Sequence, residues 1–136
     1  MMKEITSVHN AAAQLLRELQ KPRARREHGL FVCESAKMVG EAVALHLAQT
    51  LFVEKGREAE YAQMAAQAES TGCALYVVSQ AVMQAVSTAK TPQGVVCTAR
   101  IPQPPKALAG RRLVALDGVQ DPGNVGTILR TADAAG

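Results

Sequence analysis

The sequence predicts an α/β protein, a small three-layer domain with helices on both faces of a mostly parallel sheet. From Leu30 onward, short apolar runs bounded by turn residues alternate with segments of helical periodicity. This β-α-β order is typical of parallel sheets. With 136 residues and 48% hydrophobic residues, the chain has the size and composition of one compact domain with a short appendage.

The first predicted element is a helix over residues 7–20, with Ser7 as its N-cap. A polar stretch from Lys21 to Gly29 follows it. The remaining elements alternate, with strands at 30–33, 50–53, 74–78 and 95–99 and helices at 35–48, 58–70 and 79–86. In the helix at 35–48, the apolar side chains expected to point inward are Met38, Val39, Ala42, Val43 and Leu45.

A proline-rich segment, IPQPPK at 101–106, predicts a semi-rigid linker and a domain boundary. We therefore divide the chain into a domain at 1–99, a linker at 100–111 and a segment at 112–136. The last segment has an apolar run at 113–116 that predicts a strand, but it has too few large apolar side chains to fold alone. Residues beyond Gly110 are expected to be mobile or to dock on another surface.

Composition excludes several classes of protein. Aromatic residues make up 3% and tryptophan is absent, which argues against a platform that stacks several bases. A net charge of +3 and a pI near 8.9 are compatible with a nucleic-acid partner. Three scattered cysteines in apolar runs predict buried, reduced thiols and no metal site. Without a long apolar run or a signal peptide, we expect a cytoplasmic protein with no membrane partner.

The helix predicted from Pro122 onward carries the clearest candidate site. Asp121 is placed as its N-cap, with Pro122 at the first helical position. Helical side chains lean toward the N-terminus, so Arg130 is expected to lie over Gly126, with room for a phosphate or ribose beside the cation. Asn124 adds an amide at the helix start. The alternative is an ordinary βα turn in which Arg130 pairs with Asp133 on the surface.

The glycines of this segment do not form G-x-G-x-x-G, which argues against a dinucleotide-binding fold. Farther upstream, basic side chains crowd a second stretch. They are Arg17, Lys21, Arg23, Arg25 and Arg26. This stretch is either a solvated helix end or a set of phosphate contacts. Glu34 ends a strand nearby, and we expect it to have a structural role, pairing with an arginine of this stretch.

The string LDGVQDPGNVGTILRTADAAG at 116–136 resembles the first signature motif of the SpoU (TrmH-like) RNA 2′-O-ribose methyltransferases. Two earlier segments, RREHGLFVCE at 25–34 and TPQGV at 91–95, resemble the substrate-binding domain that often precedes the catalytic domain of this family. The family usually has glycine after the glutamate, where this chain has Ser35.

The resemblance implies methyl transfer from S-adenosylmethionine to a ribose 2′-hydroxyl of ribosomal or transfer RNA. It implies a catalytic Arg130, an active-site Asn124, and RNA contacts by Lys21, Arg23, Arg25 and Arg26. Because a guanidinium stays protonated, we favour a role for Arg130 in orienting the ribose and stabilising the alkoxide, with a direct base role as the alternative.

Family members hold the cofactor in a trefoil knot and usually form homodimers. Residues 112–136 would be the truncated start of that knotted domain, and the cofactor pocket and the homodimer interface are expected beyond Gly136. The 136-residue piece is then expected to bind RNA weakly and not to catalyse. The alternative is a freestanding RNA-binding module without catalytic activity.

Overall fold

The computed structural model describes residues 1–104, 106 and 112–136. These residues divide into two units, Met1–Gln103 and Pro104–Gly136. The elements of the first unit are, in chain order, β1 (Lys3–Ile5), α1 (Ala11–Glu18), α2 (Pro22–His28), β2 (Leu30–Cys33), α3 (Ala36–Ala44), β3 (Ala48–Glu54), α4 (Ala62–Ser70), β4 (Ala74–Val78), α5 (Gln80–Val86) and β5 (Val95–Arg100). The second unit contains α6 (Pro122–Ala134).

The five strands form one sheet in the order β1-β4-β3-β5-β2. Strand β4 pairs in parallel with β1 and β3, whereas β5 pairs antiparallel with both β3 and β2. Four strands therefore run in one direction, and β5 alone is reversed. The α/β class and the mostly parallel sheet are confirmed, although the reversal of β5 was not predicted.

Helices cover both faces of the sheet, which confirms the three layers. One apolar cluster joins α3 and α4 to the sheet and includes Val39, Leu51 and Val53. The other joins α1 and α5 to the opposite face and includes Leu16 and Phe52. Neighbouring residues of β3 point to opposite faces, and both faces are buried, so the strand is apolar without alternation.

The first two helices differ from the sequence prediction. Helix α1 begins at Ala11, and its cap is Asn10, whose side chain accepts a hydrogen bond from the Ala12 N–H, rather than Ser7. The polar stretch from Lys21 to Gly29 contains a helix, α2, that was not predicted. Its signals are Pro22 at the first turn and Gly29 after the last, with a φ of +64°.

Helix α3 ends at Ala44, four residues before the predicted end at 48. His46 adopts a left-handed φ of +57°, and Ala48 already belongs to β3. The inward orientation predicted for Met38 and Leu45 is wrong, since their side chains are 48% and 67% exposed. Val39, Ala42 and Val43 form the buried stripe, Met38 lies beside it, and Leu45 follows the last helical residue.

Two smaller differences concern short or polar segments. Helix α4 begins at Ala62 rather than at 58, because the preceding residues form a turn. Strand β1 was not predicted, because only Ile5 of its three residues is apolar and buried. The strands at 30–33 and 74–78 and the helix capped by Ser79 have the predicted positions.

The second unit lacks the strand predicted at 113–116. Residues 113–117 are outside regular structure, and Leu113 and Val114 are 64% and 61% exposed. A strand needs the hydrogen bonds of a neighbouring strand, and among the described residues none pairs with this run. Of the predicted linker at 100–111, residues 105 and 107–111 lie outside the described part of the chain.

The three cysteines are free and buried, as predicted. Burial raises the pKa of Cys73 to about 11, so this thiol stays protonated at neutral pH. Within the described ranges, no group of histidine, cysteine or acidic residues is arranged to hold a metal ion. The helices that the structure describes include none that is both long and apolar enough to cross a membrane.

Candidate functional site

The start of α6 has the predicted cap. The Asp121 side chain accepts a hydrogen bond from the Asn124 N–H at 2.8 Å, and Pro122 occupies the first turn. The carboxylate accepts a hydrogen bond from one of the free N–H groups at the helix start. Its negative charge also interacts favourably with the positive end of the helix dipole. Asn124 is exposed in the first turn, and its side-chain amide makes no hydrogen bond with any described residue.

Arg130 lies over Gly126, as the lean of helical side chains predicts. A Cβ added at Gly126 would lie 3.2 Å from Arg130 Nη1. Arg130 Nη2 donates to Thr127 Oγ1 at 3.3 Å, and that hydroxyl in turn donates to the Gly123 carbonyl at 3.0 Å. The guanidinium is thus laid along the helix toward its N-terminus, on a surface that lacks a side chain at Gly126.

The contribution of Thr127 was not predicted. The sequence spacing could have predicted these contacts. Thr127 is three residues before Arg130 and four after Gly123, and residues at these spacings are neighbours on a helix. The alternative pairing of Arg130 with Asp133 is not formed, and within the described ranges no carboxylate makes an ion pair with Arg130. The guanidinium therefore keeps its charge available.

Asn124 and Arg130 are on one helix but form no hydrogen bond with each other. Their positions differ by six, so their backbones are about 9 Å apart along the helix axis. No residue of α6 is buried, so the described part of the chain encloses no pocket for S-adenosylmethionine around these side chains. No described residue is therefore assigned to that cofactor.

The four predicted RNA-binding residues differ in their surroundings. Arg23 Nε donates to Glu27 Oε1 at 2.7 Å, an exposed pair along α2. Arg25 Nη1 donates to the carbonyls of Leu19 and Gln20, each at 2.9 Å, and so caps the end of α1. This interaction gives Arg25 a structural role that sequence analysis did not foresee.

Among the four predicted RNA-binding residues, Lys21 and Arg26 are the two whose side chains have no partner among the described residues. Both side chains are exposed, and neither forms an ion pair with a described residue. An exposed cation without a partner can neutralise a phosphate without first breaking an ion pair. Of these four residues, Lys21 and Arg26 are therefore the best placed for electrostatic contact with a phosphate.

Glu34 has a structural role, but the predicted pairing with an arginine is wrong. Its carboxylate accepts hydrogen bonds from Ser87 Oγ at 3.0 Å, from Thr88 N at 3.0 Å and from Ala89 N at 3.3 Å. Thr88 Oγ1 donates to it as well. Several donors on one carboxylate fix the start of the loop at 87–94 beside the carboxyl end of β2.

The far end of this loop is held in the same way. Gln93 Oε1 accepts from the Ala36 N–H at 2.7 Å, at the first residue of α3. Tyr61 donates its hydroxyl hydrogen to the Gln93 carbonyl at 2.6 Å. The two segments that resemble the substrate-binding domain, 25–34 and 91–95, are therefore brought together at one edge of the sheet.

Arg57 and Tyr61 support this loop and were not recognised in the sequence. Arg57 forms two hydrogen bonds to the Glu60 carboxylate and lies 5.6 Å from the centre of the Tyr61 ring. The hydrogen bond from Arg57 lowers the pKa of Glu60, and burial raises the pKa of Tyr61. Tyr61 thus remains a hydroxyl donor at neutral pH. Gly94 has a φ of +75° and lies against the Arg57 side chain.

Comparison with known proteins places the first unit in a defined class. A family model described as the MRM3-like substrate binding domain matches residues 10–97. The 23S rRNA (guanosine(2553)-2′-O)-methyltransferase RlmP of Bacillus subtilis is 33% identical over 135 residues, 99% of this chain and 52% of that protein.

Solved structures agree. The rRNA methyltransferase of Sinorhizobium meliloti superimposes with a TM-score of 0.76 at 31% identity, covering 99% of this chain and 52% of that one. A second structure, the AdoMet-bound rRNA methyltransferase of the same organism, gives a TM-score of 0.74 at 32% identity with the same coverage. The chain spans about half the length of the relatives it matches.

Proposed function

The chain belongs to the MRM3-like substrate-binding domain family, and we propose that it is part of a methyltransferase that acts on RNA. In this proposal the first unit binds the RNA substrate, and the second unit begins the catalytic domain. The complete protein transfers a methyl group from S-adenosylmethionine to a ribose 2′-hydroxyl of ribosomal or transfer RNA. The similarity to RlmP, which by its name carries out this reaction on 23S rRNA, supports the proposal.

The observation that carries the catalytic proposal is the position of Arg130. Its guanidinium lies over the bare Gly126 and is held by Thr127, with its charge unpaired among the described residues. A cation held beside an empty space is suited to a ribose and its phosphate. An ordinary surface arginine would not require a glycine beneath it.

We propose that Arg130 orients the ribose and its 3′ or 5′ phosphate and stabilises the negative charge that develops on the attacking oxygen. The guanidinium stays protonated, so it serves this role better than that of a general base. Asn124 would contribute a hydrogen bond to the same ribose or to the adjacent backbone once the rest of the active site surrounds α6.

We propose that RNA phosphates contact the four predicted RNA-binding residues, and that Lys21 and Arg26 contribute more of this contact than Arg23 and Arg25. Arg23 contributes less because Glu27 already pairs with it, and Arg25 acts mainly by holding α1 against α2. Such contacts position the RNA without reading its sequence.

S-adenosylmethionine as the methyl donor, homodimer formation and a cytoplasmic location are parts of the same proposal. The AdoMet-bound relative supports the choice of cofactor. Residues that bind it are expected mainly outside the segment 1–136, because this chain aligns with only about half of that relative.

The test is methyl transfer by the complete enzyme from tritium-labelled S-adenosylmethionine to total ribosomal and transfer RNA, with the product identified as an alkali-resistant dinucleotide. We expect Arg130→Lys to lower the rate at least tenfold, because lysine keeps the charge but loses the planar fork. Arg112→Lys, an exposed arginine of the same unit, is the control and should leave the rate unchanged. A complete protein that binds RNA but never methylates it would favour the binding-module alternative.

A further inference from the structure

A groove of about 510 Å³ lies along the outer edge of β2 in the first unit. It is bounded by the end of α1, by α2, by the start of α3 and by the loop at 87–94. Its apolar lining residues are Leu19, Phe31, Val32 and Met38. Its polar lining residues are Gln20, Arg25, Glu34, Ser35 and Thr88.

The apolar wall of the groove contains one ring and one exposed thioether. Phe31 is half-buried, and Met38 stands at the rim with its side chain 48% exposed. An exposed methionine on a helix that has its own buried stripe has no role in the core. A flat ring and a flexible, polarisable side chain together suit a planar aromatic ligand.

The polar wall of the groove presents hydrogen-bond donors to a ligand, and its single carboxylate is already hydrogen-bonded. Arg25 Nη1 is fixed on two carbonyls, which leaves its Nε and Nη2 without a protein acceptor among the described residues. Ser35 Oγ accepts from the Met38 N–H, so its hydrogen is available to a ligand. Glu34, the one acidic group in the lining, is already engaged by Ser87, Thr88 and Ala89.

The backbone of β2 adds a further donor and acceptor. The Ile101 N–H donates to the Gly29 carbonyl, so hydrogen-bonded pairs in the β2–β5 ladder occur at Gly29, Phe31 and Cys33. Val32 lies between such pairs, and its N–H and C=O therefore point away from β5, toward the groove. One adjacent donor and acceptor at a fixed spacing match the edge of a nucleobase.

We propose that this groove receives the base of a single unpaired nucleotide of the RNA substrate, a proposal that rests on the RNA-binding function above. The base packs between Phe31 and Met38, its edge meets the backbone of Val32, and its phosphate faces Arg25. One pocket for one base also agrees with the scarcity of aromatic residues in the chain.

The shape of the groove favours a nucleotide over an extended peptide. Strand β2 has only four residues, and of these Val32 alone both lines the groove and presents its backbone groups to the free edge. A peptide that adds a strand needs a row of such groups. A peptide ligand is therefore the competing outcome of the test.

The test uses the full 136-residue chain and two RNA probes. One is a hairpin in which 2-aminopurine replaces each loop nucleotide in turn, and the other is a blunt duplex with the sequence of its stem. We expect the hairpin to bind at least about fivefold more tightly, with quenching of 2-aminopurine at one loop position, because stacking of one base on a side chain strengthens binding by about this factor or more. Equal affinity for both probes without quenching would overturn the inference but leave RNA binding intact.

Met38→Ala should weaken hairpin binding about three- to tenfold and leave duplex binding unchanged. Leu45→Ala is the matched control, since Leu45 is an exposed apolar side chain directly after the same helix and outside the groove. Met38→Gln, which keeps the length of the side chain, should also weaken hairpin binding. Circular dichroism confirms that each variant is folded.

Equal effects of Met38→Ala on the two probes, or no effect on either, would contradict the proposed base pocket. Failure of the wild-type chain to bind either probe would instead overturn the RNA-binding function itself. Displacement of the hairpin by an unstructured peptide at equal concentration would assign the groove to a peptide.

Discussion

The guanidinium of Arg130 owes its position to two neighbours that carry no charge. Gly126 leaves space beneath it, and Thr127 accepts one of its hydrogens at 3.3 Å. Both neighbours lie within four residues of Arg130, so this arrangement could be predicted in part from helical spacing. The role of Thr127 was missed because a threonine inside a helix often bonds only to its own backbone.

Gly126→Ala tests whether the space beneath Arg130 matters. The new methyl group would lie 3.2 Å from Arg130 Nη1 and would displace the guanidinium. The guanidinium would have to shift by a few tenths of an ångström. We expect the methyl-transfer rate of the complete enzyme to fall about three- to tenfold, because misplacement of a positioning group by about 1 Å costs about 100-fold. Helix stability should rise by about 0.5–1 kcal/mol, so lost activity cannot be attributed to unfolding.

Gly40→Ala is the matched control for this substitution. Gly40 is also inside a helix, and a Cβ there would make an ordinary contact of 3.6 Å with Met64 Cε. Both variants should unfold at equal or higher urea concentration than the wild type, and only Gly126→Ala should lose activity. Full activity of Gly126→Ala would show that the empty space is not needed.

At the scale of the elements, α2 shows how a helix can be hidden in a polar sequence. It has no buried residue and no apolar stripe, so hydrophobic periodicity could not reveal it. Pro22 and Gly29 nevertheless indicate where this helix begins and ends. Helix α3 shows the opposite error, because an apolar pattern extended the predicted helix across the turn at His46 into β3.

The unpaired cations Lys21 and Arg26 are expected to determine how strongly the RNA affinity depends on salt concentration. In the 136-residue chain, Lys21→Gln combined with Arg26→Gln should make the negative slope of log affinity for the RNA hairpin against log salt shallower by about 1.5, since each phosphate contact contributes about 0.7–0.9 to its magnitude. Filter binding over a series of KCl concentrations measures this slope.

Arg23→Gln is the control, because Glu27 already pairs with Arg23, and it should change the slope less. Arg25→Gln should instead lower the free energy of unfolding, because the carbonyls of Leu19 and Gln20 lose their donor. An unchanged slope in the double variant would exclude Lys21 and Arg26 from phosphate contact.

At the scale of the whole molecule, Glu34 joins parts of the chain that are far apart in sequence. It holds residues 87–89 at the carboxyl edge of β2, so the following loop enters β5 from that edge and the strand runs antiparallel to its neighbours. Segments 53 to 55 residues away from Glu34 supply its partners, which no local pattern could have identified.

Glu34→Gln should lower the free energy of unfolding by about 1–3 kcal/mol, because the amide of glutamine faces N–H and O–H donors that need an acceptor. Urea denaturation of the 136-residue chain measures the loss. Glu41→Gln, an exposed position on α3, should be neutral. Equal stability of the two variants would contradict the anchoring role of Glu34.

By itself, the sequence determined the α/β class, the positions of most strands, the cap of α6 and the placement of Arg130 over Gly126. Each of these depends on interactions between residues a few positions apart, which leave a local pattern. Tertiary structure decided the reversal of β5, the partners of Glu34, the structural role of Arg25 and the exposure of Met38 beside the groove at β2. These depend on which distant surfaces meet in the folded chain, and burial there is a property of the packed layers rather than of any one segment.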